Sequence, residues 1–334
     1  MNAGPLEGIL AVDKPSGPTS HDVVARLRRL LGVRRIGHTG TLDPFASGLL
    51  LLCVGRATRL AEYLSGRPKG YEAVARLGRE TDTLDLEGKA VTESDAWRGL
   101  TPEEIEEALA GFRGEILQTP PQYSAKKVGG EAMHRRARRG EHVELEPASV
   151  TLHELTLVSV DLPDVTLKVH CSSGTYVRAL ARDLGRALGV GAHLTALRRT
   201  AVGNVDVAAA LEGGLLFDDA ADAAAVQAAL KAAWVDPLEA LAHLPAVKVD
   251  AAAVEELSRG RPLPWDAGTR GGAGAGEPET FLAVHGDRLV AVAERREGRL
   301  QPRKVLVEPS GAGGIPVGAG ERPMQWVAAK GGAA

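Results

Sequence analysis

The sequence predicts an α+β fold. Strand-like alternation and amphipathic helical stripes follow one another along the chain without the regular strand–helix–strand repeat of a parallel sheet. Past Asp236–Pro245 the pattern changes to closely spaced short strands, as in a small β domain. A chain of 334 residues is long enough to bury two cores.

Ile9-Leu10-Ala11-Val12 reads as a short buried strand that ends in the loop Asp13-Lys14-Pro15-Ser16-Gly17. A helix follows, capped by Thr19 or Ser20, striped by Val23, Val24, Leu27, Leu30 and Leu31, and ended by Gly32. Residues 32–48 read as a long loop with four glycines, and Leu49 to Val54 as an element apolar on both sides. Tyr71, Ala73, Ala75 and Leu77 alternate with Glu72, Val74 and Arg76, which suggests a strand. Thr101-Pro102-Glu103-Glu104 has the cap, first-turn proline and third-position acid of a helix start. Val165, Leu167, Val169 and Cys171 alternate again. Thr175 to Leu188 is helical, with Tyr176, Leu180, Leu184 and Leu188 on one stripe and Arg178, Arg182 and Arg186 on another. The Ala-rich stretch 208–235 favours helix. Short strands are expected at 246–249, 281–284, 289–293 and 305–307, with a Gly-rich loop at 268–279 and a disordered tail at 311–334.

The composition, 44% apolar and 25% charged, is that of a soluble globular protein. No apolar run approaches the roughly 20 residues of a membrane span, and Met1–Leu6 is expected to carry no secretion signal. Two cysteines, Cys53 and Cys171, are too few for a disulfide framework or a structural zinc site, so a cytoplasmic location is expected. The net charge of −3 is unevenly spread. Residues 122–140 hold Lys126, Lys127, Arg135, Arg136, Arg138 and Arg139 against the single acid Glu131, whereas 208–256 hold nine acids against Lys231 and Lys248. A polyanion-binding protein needs a local basic surface rather than a basic total, although a lone basic run also suits a solvated helix face.

Within residues 32–48, Gly37-His38-Thr39-Gly40-Thr41-Leu42-Asp43-Pro44 concentrates polar groups where glycines permit close approach. Alone, Asp43 before a proline reads as a turn residue.

The longer run Arg35-Ile36-Gly37-His38-Thr39-Gly40-Thr41-Leu42-Asp43-Pro44-Phe45-Ala46-Ser47-Gly48 resembles the catalytic loop of the TruB family, bacterial tRNA pseudouridine-55 synthases. Other segments resemble the family's motifs in the same order. They are Asp13-Lys14-Pro15 with Gly17, Lys69-Gly70-Tyr71 with Ala75-Arg76-Leu77-Gly78 and Thr81-Asp82-Thr83, and Pro120 to Ala125. Ser173-Gly174-Thr175-Tyr176-Val177-Arg178 and Gly191-Ala192-His193-Leu194 with Leu197-Arg198-Arg199 complete the set. The resemblance is strong over about residues 8–205 and weak beyond.

The resemblance implies a pseudouridine synthase fold, with a mixed, mainly antiparallel sheet flanked by helices, over residues 1–240. It also implies a basic RNA-gripping insertion at about 119–148 and a small β-rich, PUA-like domain at 241–310. Asp43 becomes the nucleophilic carboxylate, able to bond to the sugar or to take a proton from it and form a glycal. Tyr71 stacks on the flipped uracil and assists proton movement, Tyr176 walls the pocket, and Leu197 supplies an apolar contact. Arg178 pairs with the catalytic aspartate and favours its ionised form. His38 contacts the RNA beside the flipped nucleotide, and Lys14 binds phosphate or supports the loop. The basic residues of 126–139 grip the RNA backbone, although Ala132-Met133-His134 stands where the family more usually has an aromatic. The implied partner is the T-arm of tRNA, bound by a monomer without a protein partner, cofactor or metal.

Three rivals are set against this reading. A non-catalytic RNA-folding protein conflicts with retention of Asp43, Tyr71 and Arg178. A glycoside hydrolase would usually need a second carboxylate across the bond. A guide-dependent synthase fits the basic insertion less well.

Overall fold

The computed structural model describes residues 6–124, 127–128, 131–133, 136, 139, 143, 145–265, 280–309 and 314–316. The elements that position the site are β1 (Gly8–Lys14), α1 (Ser20–Leu31), β2 (Ile36–His38), β3 (Ser47–Val54), β4 (Lys69–Leu77), β5 (Arg79–Thr81) and β6 (Ala90–Glu93). After them come α2 (Pro102–Ala110), β7 (Gly114–Gln118), β8 (Ala148–Asp161), β9 (Asp164–Cys171), α3 (Val177–Ala187) and β10 (Ala192–Val202). The chain continues with β11 (Leu211–Glu212), α4 (Ala223–Ala232), β12 (Trp234–Val235), β13 (Ala246–Lys248), α5 (Ala251–Ser258), β14 (Thr280–His285), β15 (Arg288–Arg296) and β16 (Arg299–Val305).

The main sheet runs β11–β1–β3–β10–β4–β9–β8–β7, and only the β11–β1 and β3–β10 pairs along it are parallel. The mixed, mainly antiparallel sheet expected from the sequence is therefore present. Leu49 to Leu52 are fully buried because β3 is covered on both faces, each leucine contributing about 1.5–3 kcal/mol. One face packs Ile105 and Leu109 of α2 and Leu180 and Leu184 of α3 against β4, β9 and β10. Next to it, α1 and α4 cover β1 and β3. The terminal strands β13 to β16 form a second sheet. Its Leu282, Leu289 and Val292 share a cluster with Ile9, Leu51 and Leu60, so apolar packing continues across residue 240.

Local signals explain the helix ends. Thr19, not Ser20, caps α1 in a reciprocal box with Asp22, and Gly32 closes it at φ 64°. Ser20 is thereby left free to bond to Leu42. Thr101 and Glu104 make the same box on α2.

Four expectations are corrected. The long loop at 32–48 contains β2, because Ile36, Gly37 and His38 pair with Val54, Cys53 and Leu52 at the rim of β3. The stretch 208–235 is helical only over Ala223–Ala232. Before it, Val12 and Asp13 draw Leu211 and Glu212 into the sheet, and Gly213 packs too closely on Asp13 for a side chain. The strand expected at 305–307 is β16, which ends at Val305 while Leu306 and Val307 turn inward. Within the expected tail, Ile315 pairs with Leu289 and is fully buried. The rest of that tail, the loop 268–279 and the side chains of Lys126, Arg135 and Arg138 lie outside the described residues.

The sheet sets two loops side by side. Lys14 pairs with Gly48 across β1 and β3, so the loops that follow Asp13 and precede Ser47 leave the same sheet end. Gly48 has φ +104°, and a Cβ there would lie 2.2 Å from the Arg199 carbonyl oxygen. Gly48→Ala is therefore expected to cost more than about 2 kcal/mol of stability. An unchanged urea midpoint would sink this account of the loop's anchorage.

Candidate active site

The Asp43 loop is held from beneath by the Asp13–Gly17 segment. Gly17 N–H donates to the Pro44 carbonyl at 2.8 Å and Ser16 Oγ to Phe45 at 2.9 Å. Lys14 is fully buried, and its ammonium donates to the carbonyls of Pro15 (2.8 Å), Pro18 (2.8 Å) and Pro44 (3.3 Å). Burial pushes its pKa down to about 8 while Asp43 pulls it back up. These three contacts fit the first of the two roles expected of Lys14, support of the loop, and not phosphate binding. Asp13 is in turn gripped by both terminal nitrogens of Arg198, at 3.0 and 2.6 Å.

From the other side, Arg199 locks the loop to the sheet. It is 2% exposed and donates to Leu49 at 2.6 Å and to Gly40 at 3.1 Å. Tyr71 sits opposite it in the β4–β10 ladder. Burial raises the Tyr71 pKa and the Arg199 charge opposes that, so the phenol stays neutral at physiological pH.

Asp43 stands at the end of this scaffold. Arg178 enters from the first turn of α3 and contacts both carboxylate oxygens, Nε to Oδ2 at 2.9 Å and Nη2 to Oδ1 at 3.1 Å. Such a two-point contact fixes the direction of the carboxylate as well as its position. The Asp43 side chain is 34% exposed and Arg178 only 5%. Burial is the largest influence on Asp43 and raises its pKa above 3.8. Arg178 lowers it and the nearby Asp85 raises it further.

A cavity of about 130 Å³ opens over this carboxylate, lined by Thr41, Tyr71, Ser124, Tyr176, Arg178 and Leu197 among others. Leu42, Tyr71, Tyr176 and Leu197 give it apolar and aromatic surface beside the charged groups of Asp43 and Arg178. That combination suits a flat heterocycle whose ring stacks while an attached sugar meets the carboxylate. The structure thus brings together Asp43, Tyr71, Tyr176, Arg178 and Leu197. His38 lies outside the cavity lining, half-buried, with its ring edge-on to His21 at 5.4 Å and its Nδ1 buried without a hydrogen-bond partner. Of the basic insertion, Arg136 is half-buried and Arg139 exposed, while Lys127 lies in a two-residue strand, Lys127–Val128, paired with Glu131–Ala132. Among the described residues no group of three or more His, Cys, Asp and Glu side chains is placed to hold a metal ion.

Two polar residues were missed by sequence reasoning. Asp85 is 4% exposed and accepts from Thr83 Oγ1 at 2.5 Å and Glu87 N–H at 3.1 Å, leaving Oδ2 3.4 Å from Arg178 Nη1. It directly follows Leu84, whose φ of 65° turns the chain inward, and sequence pattern alone does not expose such a turn. Gln118 is 2% exposed and accepts the Tyr176 N–H at 2.8 Å, supplying the cap that α3 otherwise lacks. No spacing links it to Tyr176, because the contact crosses 58 residues.

Comparison with known proteins gives the family. Residues 28–177 match the model described as TruB family pseudouridylate synthase (N terminal domain). Residues 178–241 match the tRNA pseudouridylate synthase B C-terminal domain. A protein named tRNA pseudouridine synthase B from Burkholderia lata is 43% identical over 303 residues, covering 90% of this chain and 91% of its own. One of the same name from Azoarcus sp. is 41% identical, covering 92% and 97%. Among solved structures, a Cbf5–Nop10–Gar1 complex contains a chain that superposes with a TM-score of 0.68 at 25% identity, covering 92% of this chain and 87% of that one. A chain of an H/ACA RNP bound to a substrate RNA containing 2′-deoxyuridine gives 0.66 at 24%, covering 91% and 86%, and supports the fold. With both family models matched in order and two-fifths identity over nine-tenths of its length, this chain belongs to the TruB family of pseudouridylate synthases.

Proposed function

We propose that this chain isomerises a uridine in the T-arm of tRNA to pseudouridine, with Asp43 as the catalytic carboxylate. The observation that carries the reading is the Arg178–Asp43 contact in a cavity also lined by Tyr71, Tyr176 and Leu197. A uridine stacked in a folded loop has to leave its stack before its sugar can reach such a carboxylate, so the nucleotide flips into the cavity. The uracil then lies against Tyr71, with Leu197 and Tyr176 closing the other sides.

The chemistry breaks the bond from C1′ to N1, turns the uracil and forms a bond from C1′ to C5. The C5 proton leaves and N1 gains one, so product and substrate are isomers and no oxidant, reductant or cofactor enters the balance. Asp43 acts at the sugar, either by bonding to C1′ or by taking the C2′ proton. Arg178 supports both routes by holding the carboxylate ionised and aimed. Tyr71, neutral and buried, is suited to stacking and to passing the C5 proton. His38, with Arg136 and Arg139 of the basic insertion, holds the RNA outside the cavity. The sheet of β13 to β16 serves as a PUA-like RNA-binding domain. The protein acts as a monomer in the cytoplasm without an obligatory protein partner.

Tritium at uracil C5 of unmodified tRNA tests the central claim. Wild-type protein is expected to release it, and Asp43→Asn to lower the rate by a factor on the order of 10⁴. No release by the wild type would overturn the function, and equal release by both would overturn the role of Asp43.

The acid limb of kcat/KM reports the ionisation of the essential carboxylate in the free enzyme. Because Asp43 is raised above its usual value, activity is expected to fall on acidification before an ordinary aspartate would titrate. Asp85 contributes to that rise, so Asp85→Asn should move the limb to lower pH. Turnover should fall by about 10–100-fold as Arg178 loses an anchor. A limb that stays in place or moves upward would show that Asp85 does not act on Asp43.

A further inference from the structure

Many exposed arginines of this chain meet a carboxylate. Arg76 pairs with Asp164, Arg79 with Glu93, Arg98 with Asp95 and Arg186 with Glu80, at 2.6 to 3.1 Å. Others do not, and three of these gather at the corner where α1 runs into β2. Arg28, Arg29 and Arg34 are all exposed there, and none has a carboxylate at ion-pairing distance among the described residues. The acid of α1, Asp22, is engaged at the opposite end of the helix in the Thr19 capping box.

Part of this has a local explanation. Arg28 and Arg29 lie in the last turn of α1, where a cation gains about 0.3–1 kcal/mol against the helix dipole. That does not account for Arg34, which follows the helix end at Gly32, nor for where the corner leads. Arg28 Nη2 donates to the Ile36 carbonyl at 2.8 Å, which places its guanidinium against the first residue of β2. The last residue of β2 is His38, beside His21 and at the start of the loop that carries Asp43. Two residue steps of a strand cover about 7 Å, comparable with one nucleotide of an extended chain. Uncompensated guanidiniums repel one another, and a row of phosphates relieves that repulsion while releasing its own counterions.

We propose that Arg28, Arg29 and Arg34 form a phosphate-binding strip for the RNA strand that flanks the target uridine and leaves the cavity past His38. The inference rests on the reading of the chain as a tRNA-modifying enzyme. The strip would position the backbone without reading sequence.

The test uses Arg29→Gln/Arg34→Gln, which keeps the Arg28 bond to Ile36. Binding of unmodified tRNA is measured over a salt series in an Asp43→Asn background, so that turnover does not intervene. Affinity is expected to fall about tenfold at 0.1 M salt, and the slope of log K against log salt to fall by about 1.4–1.8, at about 0.7–0.9 for each phosphate that is no longer neutralised. In the otherwise wild-type enzyme the loss should appear in KM rather than kcat. Arg98→Gln, which breaks the pair with Asp95, should alter neither affinity nor slope. Wild-type affinity and slope in the double variant would overturn the strip, as would a loss of kcat with an unchanged slope, which marks a structural role. If the parent enzyme is active and only the slope result fails, the strip alone is lost. If the parent neither binds tRNA nor releases tritium, the functional reading and the strip fall together.

Discussion

Every N–H of the Arg178 guanidinium has somewhere to go. Nε and one Nη2 hydrogen meet the two oxygens of Asp43, and the other Nη2 hydrogen meets the Tyr123 carbonyl. Nη1 serves the Thr83 carbonyl and Asp85. One side chain on the first turn of α3 therefore joins three segments that are far apart in sequence. Arginine suits this task because its fork is planar, always charged and rich in donors. A lysine would carry the charge but not five fixed directions. Two of these segments are also tied down separately. Asp85 bridges to Leu194 of β10, and the Asp43 loop is clamped by Lys14 and Arg199. Arg178 consequently meets partners that are already in place, and the carboxylate loses little entropy when it binds.

Such a site works against stability. A carboxyl whose folded pKa lies above its unfolded value of 3.8 holds its proton more tightly in the native state, so stability is lost as pH rises through that window. Lys14 has the complementary defect: with its pKa lowered from 10.5 to about 8, the protonated form is disfavoured by folding at neutral pH. The leucine-rich strand β3, sealed on both faces, supplies the apolar burial that offsets these costs. The arrangement is economical, since the same strand that stabilises the core also ends beside the loop it must support.

Much of the scaffold was legible because periodicity and caps are local. Thr101 with Glu104, Thr19 with Asp22, and the alternation from Tyr71 to Leu77 each specify an element within a few residues. Errors fell where a distant partner overrode local preference. Leu211 and Glu212 are strand because Val12 and Asp13 pair with them, and Gly37 is strand because Cys53 does. The same limit applied to the site. Asp43, Tyr71, Tyr176, Arg178 and Leu197 could be set together through an ordered family resemblance. Their convergence around one cavity depends on the register of β4 against β10 and on the entry of α3. Asp85 and Gln118 act through contacts with Arg178 and Tyr176 that no sequence spacing encodes. Lys14 stood in a recognised motif, but whether its ammonium faced solvent or carbonyls was a matter of three dimensions.

The distribution of charge follows from the same distinction between local and total. A net charge of −3 would repel RNA if the protein acted as a point. At physiological ionic strength, however, fields decay over about 8 Å, so an incoming phosphate responds to the few charges nearest to it. The acids of α5 and its neighbours are partly tied to arginines, as Glu255 is to Arg259 and Glu256 to Arg261. Elsewhere the balance differs. Asp43 is neutralised by Arg178, Asp13 is held by Arg198, and the exposed arginines of α1 keep their charge. Pairing is thus as informative as composition, because it decides which cations remain available to a polyanion.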